Sequence, residues 1–140
     1  TALDVTIQGQ ILYEVQKLCR EMGTALIWIT HDLALVSGLA DRMAVMYAGR
    51  IVESAPTGRL IEHPHHPYTH GLMESIPSLA TRGRPLFQIP GSTPSLLHLP
   101  RGCPFRPRCY RADAQCEHDP APRGITPGHE VRCWHSGERV

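Results

Sequence analysis

Four cysteines near the end of this 140-residue sequence are its most reactive group of side chains. Cys103, Cys109, Cys116 and Cys133 follow the spacing C-x5-C-x6-C-x16-C, so that four thiols fall within 31 residues. Three kinds of chemistry use such a set: two disulfide bonds, a structural zinc ion, or an iron–sulfur cluster.

The spacing and surroundings of these cysteines favour some of the three alternatives over others. Disulfides require an oxidising compartment, and the sequence shows no basic-then-apolar leader, so we expect reduced thiols. Structural zinc sites are usually built from C-x2–4-C turns, whereas an iron–sulfur cube accommodates wider loops. Neighbouring residues supply positive charge and aromatic cover, namely Arg101, Arg106, Arg108, Arg111, Phe105, Tyr110 and Trp134. Spacing alone leaves zinc and iron–sulfur open.

His31 is the second residue that could do chemistry. It follows an apolar, β-branched segment, residues 24–30, which predicts a strand buried on both faces, as in a parallel sheet. Ligands of doubly wound sheets bind beyond the carboxyl ends of the strands. An imidazole there can hydrogen-bond a phosphate oxygen or a water molecule. A histidine that merely ends a strand is the alternative, since one histidine without a partner identifies no reaction.

The elements that must position His31 can be read from the apolar pattern. A helix is predicted between Asp4, its N-cap, and Gly23, its stop, with a buried face of residues three and four apart: Ile7, Ile11, Leu12, Val15, Leu18, Cys19 and Met22. A short amphipathic helix is predicted after Asp32. Residues 42–47 and 50–53 predict a hairpin that turns at Ala48-Gly49. The order helix, strand, helix, strand, strand predicts an α/β fold.

Composition divides the sequence into two pieces. The averages are ordinary, with 41% apolar residues and a net charge of +1, which gives no electrostatic case for nucleic-acid binding. All 13 prolines, however, lie from Pro56 onward. We therefore predict two segments, 1–55 and 56–140.

The second segment predicts short helices at Thr57 and near Pro67, and one strand over 86–89. Because prolines interrupt the histidine-rich stretch 63–70, we interpret it as structural rather than as a metal site. Because it has few long helices or strands of its own, the segment must pack against neighbouring elements or be held by a covalent or metal cross-link.

The first segment resembles the ATP-binding-cassette ATPases. Thr1-Ala2-Leu3-Asp4 followed by a helix is similar to their D-loop, Ile29-Thr30-His31-Asp32 to the stretch that ends in their switch histidine, and Met46–Glu53 to their final hairpin. The resemblance implies that Leu3 and Asp4 lie at the nucleotide and dimer interface, where Asp4 couples two sites. It also implies that His31 contacts the γ-phosphate of ATP and orients the attacking water.

The second segment resembles the C-terminal extension of oligopeptide and dipeptide importer ATPases. His66-Pro67-Tyr68-Thr69, followed by Leu72, is similar to their H-P-Y-T-x-x-L element, and Leu99–Cys109 reads L-P-x-G-C-x-F-x-x-R-C. Some of these proteins carry a [4Fe–4S] cluster there. The resemblance therefore implies such a cluster on the four cysteines, with zinc as the alternative and a structural role for either.

The sequence lacks the P-loop motif G-x-x-x-x-G-K-[ST], the family's signature motif and its Walker B carboxylates. In family members these precede the D-loop. We therefore expect a C-terminal fragment that is inactive by itself. The predicted fold is α/β: the C-terminal part of a P-loop NTPase (ABC ATPase) domain at 1–55, followed by a proline-rich, cysteine-containing extension at 56–140.

The resemblance implies part of an ATPase subunit that uses ATP with Mg to energise import of di- and oligopeptides across the prokaryotic cytoplasmic membrane. Implied partners are a second ATP-binding subunit, two transmembrane permease subunits and, indirectly, a periplasmic or lipoprotein substrate-binding protein, with no nucleic acid. The implied location is peripheral, on the cytoplasmic face of that membrane. Alternatives are an importer ATPase for nickel or glutathione, or a stand-alone iron–sulfur or zinc module. A non-transport ATPase of the same superfamily is disfavoured by the H-P-Y-T element and the cysteine tail.

Overall fold

A computed structural model describes residues 5–77 and 86–136. The chain divides into two compact units, 1–40 and 41–140. The helices are α1 (Val5–Met22), α2 (Leu33–Leu39), α3 (Thr57–Glu62) and α4 (Pro67–Glu74). The strands are β1 (Arg42–Tyr47), β2 (Arg50–Pro56), β3 (Arg123–Thr126) and β4 (His129–Val131). Within the described residues, no helix is both long enough and apolar enough to cross a membrane.

Both predicted helices of the first unit are confirmed. Gly23 follows α1 with a φ of +62°, the left-handed conformation that ends a helix. Asp32 caps α2, because its carboxylate accepts a hydrogen bond from Leu35 N at 3.1 Å. The two helices are joined by a hydrogen bond from Gln16 Nε2 to Leu39 O at 3.3 Å. These elements form where the sequence carries local start and stop signals.

The predicted strand over residues 24–30 is wrong for this structure. The segment forms no strand, and Ile27 and Ile29 are 90% and 93% exposed. A strand buried on both faces needs neighbouring strands and covering layers. The described residues of the first unit supply two helices and no strand with which this segment could pair. The predicted buried face of α1 is likewise largely exposed, with Leu12, Val15 and Cys19 half-buried.

The second unit is built on a four-stranded sheet in the order β1-β2-β4-β3. The β1–β2 hairpin is confirmed, and its turn residues Ala48 and Gly49 both have positive φ, as a tight hairpin turn requires. The other edge of β2 pairs with β4, where Glu53 lies opposite Val131. All pairings of this sheet are antiparallel, and that of β1 with β2 is the one the predicted hairpin requires. The predicted segment boundary at 55/56 falls at the end of β2.

Residues from the hairpin, from α3 and from the cysteine-containing region together form the core of the second unit. Its buried apolar side chains are Met43, Val45, Tyr47, Val52, Ala55, Leu60, Phe105, Cys116, Val131 and Cys133. The extension therefore shares one core with the hairpin. Of the two predicted ways to stabilise it, packing against neighbouring elements is the one seen here.

A buried carboxylate organises this unit. Glu53, only 1% exposed on β2, accepts hydrogen bonds from His65 N at 2.8 Å and His66 N at 2.9 Å. Its Oε1 also lies 2.7 Å from His129 Nε2 on β4. Three donors from two other segments thus meet one side chain, and they offset the cost of burying it.

His66 has a structural role at the start of α4. Its Nδ1 accepts a hydrogen bond from Tyr68 N at 3.0 Å and so caps the helix, whose first residue is Pro67. Burial lowers the pKa of His66 to about 4, so its ring is neutral near pH 7. The helix predicted near Pro67 and the structural interpretation of the histidine-rich stretch agree with this geometry.

Helix α4 buries small side chains most deeply. Pro67, Thr69 and Gly71 are buried, whereas Tyr68, Leu72 and Met73 are half-buried. A Cβ atom on Gly71 would lie 2.8 Å from Ile89 Cγ1, so glycine allows the chain around Ile89 to pack closely on the helix. The described residues 86–89, predicted as a strand, form none.

Replacing Glu53 tests whether its carboxylate holds the unit together. Glu53→Ala leaves two backbone N–H groups and the His129 ring without their acceptor, and we expect it to lower the free energy of unfolding by about 3–5 kcal/mol. Urea denaturation followed by circular dichroism measures the change. Glu130→Ala, at an exposed position of β4, is the control and should change stability by less than about 0.5 kcal/mol. Equal losses in the two variants would contradict the role of Glu53.

Candidate metal centre

The four predicted cysteines are presented by two short turns and the end of a strand. A 3-10 turn at Arg106–Arg108 separates Cys103 from Cys109. A second turn, Ala114–Glu117, carries Cys116, and Cys133 follows β4. Such short turns fit loops of five and six residues between ligands.

Gly102 brings the first turn against the second. It has a φ of +76°, and a Cβ atom there would collide with the backbone of Cys116 and Glu117. This close approach lets Cys103 N donate a hydrogen bond to Cys116 O at 3.0 Å. The glycine of the pattern L-P-x-G-C thus places the first cysteine beside the third.

Phe105 anchors the first turn in the core. It is 2% exposed and meets Tyr47 edge-on, with ring centroids 5.2 Å apart. The rings of His66 and Tyr68 lie 5.8 and 5.4 Å away. The H-P-Y-T element and the cysteine-containing motif, which are separate in the sequence, therefore pack against one another through one aromatic cluster.

The four thiols lie close enough to influence one another electrostatically. Burial raises the pKa of each of them, and it raises that of Cys133 to about 11. Negative charge on Cys109, Cys103 or Cys116 contributes to this rise in the pKa of Cys133. The four cysteines form no disulfide bond, and burial favours the protonated thiol of each. Neutral thiols can be gathered in one place without repulsion.

Backbone N–H groups donate to the sulfur atoms, and two arginines act on them through their charge. Arg111 N donates to Cys109 Sγ at 3.4 Å, and the amides of Phe105 and Arg106 lower the pKa of Cys103. The guanidinium groups of Arg106 and Arg111 favour the charged forms of Cys116 and Cys109. Hydrogen bonds and positive charge around sulfur stabilise an anionic metal–thiolate assembly, so this donor set fits an iron–sulfur cluster.

Other parts of the predicted surroundings act differently. Arg108 is a structural clamp whose Nε donates to Pro90 O at 2.7 Å and whose Nη1 donates to Tyr47 OH at 3.4 Å. Tyr110 and Trp134 are 57% and 38% exposed. Of the three aromatic residues predicted to cover the cysteines, Phe105 is therefore the one that is fully buried.

Sequence reasoning missed two potential ligands beside Cys116. Asp113 Oδ1 accepts hydrogen bonds from Gln115 N at 2.9 Å and Cys116 N at 3.3 Å. Although desolvation opposes the change, these amides lower the pKa of Asp113. His135 Nε2 lies 3.4 Å from the same oxygen. The signal in the sequence was an aspartate three residues before Cys116 and a histidine two residues after Cys133.

His31 lies in the first unit, which is separate from the unit that carries the cysteines. It is exposed in a bend before α2. Its neighbour Asp32 donates its backbone N–H to Thr30 Oγ1 at 3.0 Å, which fixes this bend. Leu3 and Asp4, predicted at a nucleotide and dimer interface, lie outside the described residues.

Comparison with known proteins gives one family and several close relatives. Residues 52–116 match the family described as "Oligopeptide/dipeptide transporter, C-terminal region". The oligopeptide transport ATP-binding protein OppD of Haemophilus influenzae is 48% identical over 139 residues, which are 99% of this chain and 43% of the relative.

Two Escherichia coli proteins are similar to nearly the same extent. The probable D,D-dipeptide transport ATP-binding protein DdpD is 46% identical over 141 residues, covering 100% of this chain and 43% of the relative. OppD is 44% identical over 140 residues, covering 100% of this chain and 42% of the relative. The chain thus spans about two fifths of the length of the curated relatives it matches.

Substitution of Gly102 tests the close approach of the two turns. Gly102→Ala combines a positive φ with a backbone collision, and we expect a loss of at least about 3 kcal/mol in the free energy of unfolding. Gly91→Ala is the matched control: its φ is +72°, but a Cβ atom there meets only the flexible Arg108 side chain, with Cγ at 3.4 Å and Nε at 3.9 Å. It should cost about 1 kcal/mol. Thermal or urea denaturation compares the two, and similar losses would show that the turns do not depend on this contact.

Proposed function

We propose that the chain is part of an ATP-hydrolysing subunit that energises uptake of di- and oligopeptides across the prokaryotic cytoplasmic membrane, since residues 52–116 match the C-terminal region of oligopeptide/dipeptide transporters. The observation that carries the proposal is 44–48% identity, over essentially the whole chain, to relatives named as oligopeptide transport ATP-binding proteins. These relatives give no support to a stand-alone metal module or to nickel or glutathione as cargo.

In this proposal His31 acts on ATP, which the subunit would use with Mg. Its imidazole is exposed in the bend that follows residues 24–30, where it is accessible to a phosphate oxygen or a water molecule. The hydrogen bonds that Asp32 makes on both sides, to Thr30 and to Leu35, support the bend that presents it. His31 would position the attacking water, and Leu3 and Asp4 would contact the second ATP-binding subunit.

The partners follow from the same family. The subunit would pair with a second ATP-binding subunit, and the pair would act on two transmembrane permease subunits from the cytoplasmic face of the membrane. A periplasmic or lipoprotein substrate-binding protein would be an indirect partner. The names of the relatives, which describe transport ATP-binding proteins, support this arrangement.

We further propose that Cys103, Cys109, Cys116 and Cys133 hold a [4Fe–4S] cluster, with zinc as the alternative. Four neighbouring thiols, amide N–H groups aimed at sulfur, and the charges of Arg106 and Arg111 support this ligand set. Such a group supplies metal–thiolate bonds that cross-link the two turns to the end of β4. The role we assign to it is structural.

A hybrid protein tests the transport function. The chain replaces the corresponding residues of Escherichia coli OppD, with which it aligns over its full length. We expect the hybrid to restore oligopeptide uptake in cells that lack OppD. His31→Ala should reduce ATP hydrolysis and uptake by about 100-fold or more, because the attacking water loses its positioning group.

His98→Ala, which removes another exposed histidine, is the control and should leave both rates unchanged. A hybrid that assembles and binds ATP but drives no uptake would contradict the transport proposal. Equal rates in the His31 and His98 variants would contradict the role of His31.

Iron and sulfide analysis tests the cluster. Protein purified without oxygen should contain about four iron and four sulfide per chain, and Cys103→Ser should lose them. Cys19→Ser, which changes the cysteine of α1, is the control and should retain both. Stoichiometric zinc without iron would overturn the cluster assignment.

A further inference from the structure

We propose that Asp113, Cys116 and His135 form a site for a single divalent transition-metal ion such as zinc, as an alternative to the four-cysteine centre, with which it shares Cys116. A carboxylate oxygen, a thiol sulfur and an imidazole nitrogen from these residues all lie within 4.8 Å of one another. They are brought together by the second turn and the chain that follows β4.

The distance between Asp113 and His135 is that of two ligands on one ion. Zinc binds imidazole nitrogen and carboxylate oxygen at about 2.0–2.2 Å, so two such ligands of a tetrahedral ion lie about 3.4 Å apart. His135 Nε2 and Asp113 Oδ1 are 3.4 Å apart. The sulfur of Cys116 lies within 4.8 Å of both atoms, whereas a zinc-bound sulfur would lie about 3.6 Å from each, so a shift of about 1.2 Å at most completes three ligands at the usual bond lengths.

His135 Nε2 is a buried polar atom that makes no hydrogen bond within the described part of the chain. Leaving such an atom unsatisfied costs free energy, and a bound ion would remove this cost. An ion pair with Asp113 requires a protonated ring, whereas a metal ion uses the neutral one.

The ligands are held before any ion binds. Asp113 is fixed by the two amides that it caps, those of Gln115 and Cys116. The backbone of His135 is held by Arg111, whose Nη1 donates to His135 O at 3.3 Å. Arg123 Nη2 donates to the preceding carbonyl, that of Trp134, at 3.0 Å.

The donor types select the metal. Sulfur and imidazole suit zinc, cobalt or nickel rather than magnesium or calcium. One thiolate and one carboxylate neutralise a divalent ion, and the exposed side of Asp113 leaves a fourth position for water. Because Cys116 also belongs to the four-cysteine centre, the single ion and the cluster exclude one another. The site does not depend on the transport function proposed above.

Cobalt binding to the full chain, reduced and free of metal, tests the site. The four-cysteine centre is removed by the double substitution Cys103→Ser and Cys109→Ser. We expect this variant to bind one Co²⁺ with a charge-transfer absorption of one thiolate. Adding His135→Gln or Asp113→Asn should weaken Co²⁺ binding at least tenfold, whereas adding His118→Gln, an exposed histidine of the same region, should not.

A folded double variant that binds no Co²⁺, or equal affinity in the His135 and His118 variants, would overturn the proposal. X-ray absorption of the unsubstituted chain loaded with one Zn²⁺ covers the case in which the double variant does not fold. We expect a shell of one sulfur with nitrogen and oxygen, and four sulfurs would overturn the site. Neither measurement uses ATP or uptake, so the result is separate from that of the transport test.

Discussion

The second unit depends on the burial of one carboxylate. Glu53 can lie inside the protein only if donors replace the water it loses, because an unpaired buried charge costs several kcal/mol. The donors are the amides of His65 and His66 and the ring of His129. Strand β2, the segment before α4 and strand β4 must therefore assemble together. This requirement explains how a proline-rich segment with few regular elements becomes part of one sheet and one core.

The cysteine-containing region is tied to that assembly through aromatic packing. His66, which receives its position from Glu53, lies beside Phe105, and Tyr47 and Tyr68 complete the contact. Phe105 belongs to the turn between the first two cysteines. The H-P-Y-T element and the cysteine-containing motif thus pack directly against one another. A change at the metal centre reaches the sheet through Phe105 by direct contact.

Local signals made the helices and the hairpin predictable. Asp32 as a cap, Pro67 at a first helical position and Ala48-Gly49 at a turn act within a few residues, so their effects can be read from sequence. Pairing between distant strands cannot be read from the sequence in this way, because it depends on contacts far apart along the chain. Residues 24–30 have the composition of a buried strand but pair with no strand among the described residues. Strands β2 and β4 do pair, although no pattern in the sequence indicates that these two distant segments are partners. The cysteines were evident, whereas the proximity of His135 to Asp113 is a product of the fold.

The cysteine-containing region depends less on a bound metal than the sequence suggested. A segment with little core was expected to need a staple, yet its first turn is fixed by Phe105 and by the close approach at Gly102. Its second turn is fixed by the Asp113 cap. With the backbone set by packing and hydrogen bonds, a bound group stabilises an arrangement that already exists. Under the proposals above, such a scaffold would offer Cys116 either to a centre with three other thiols or to a site with Asp113 and His135. The choice between the two sets then rests on the chemistry of the incoming metal.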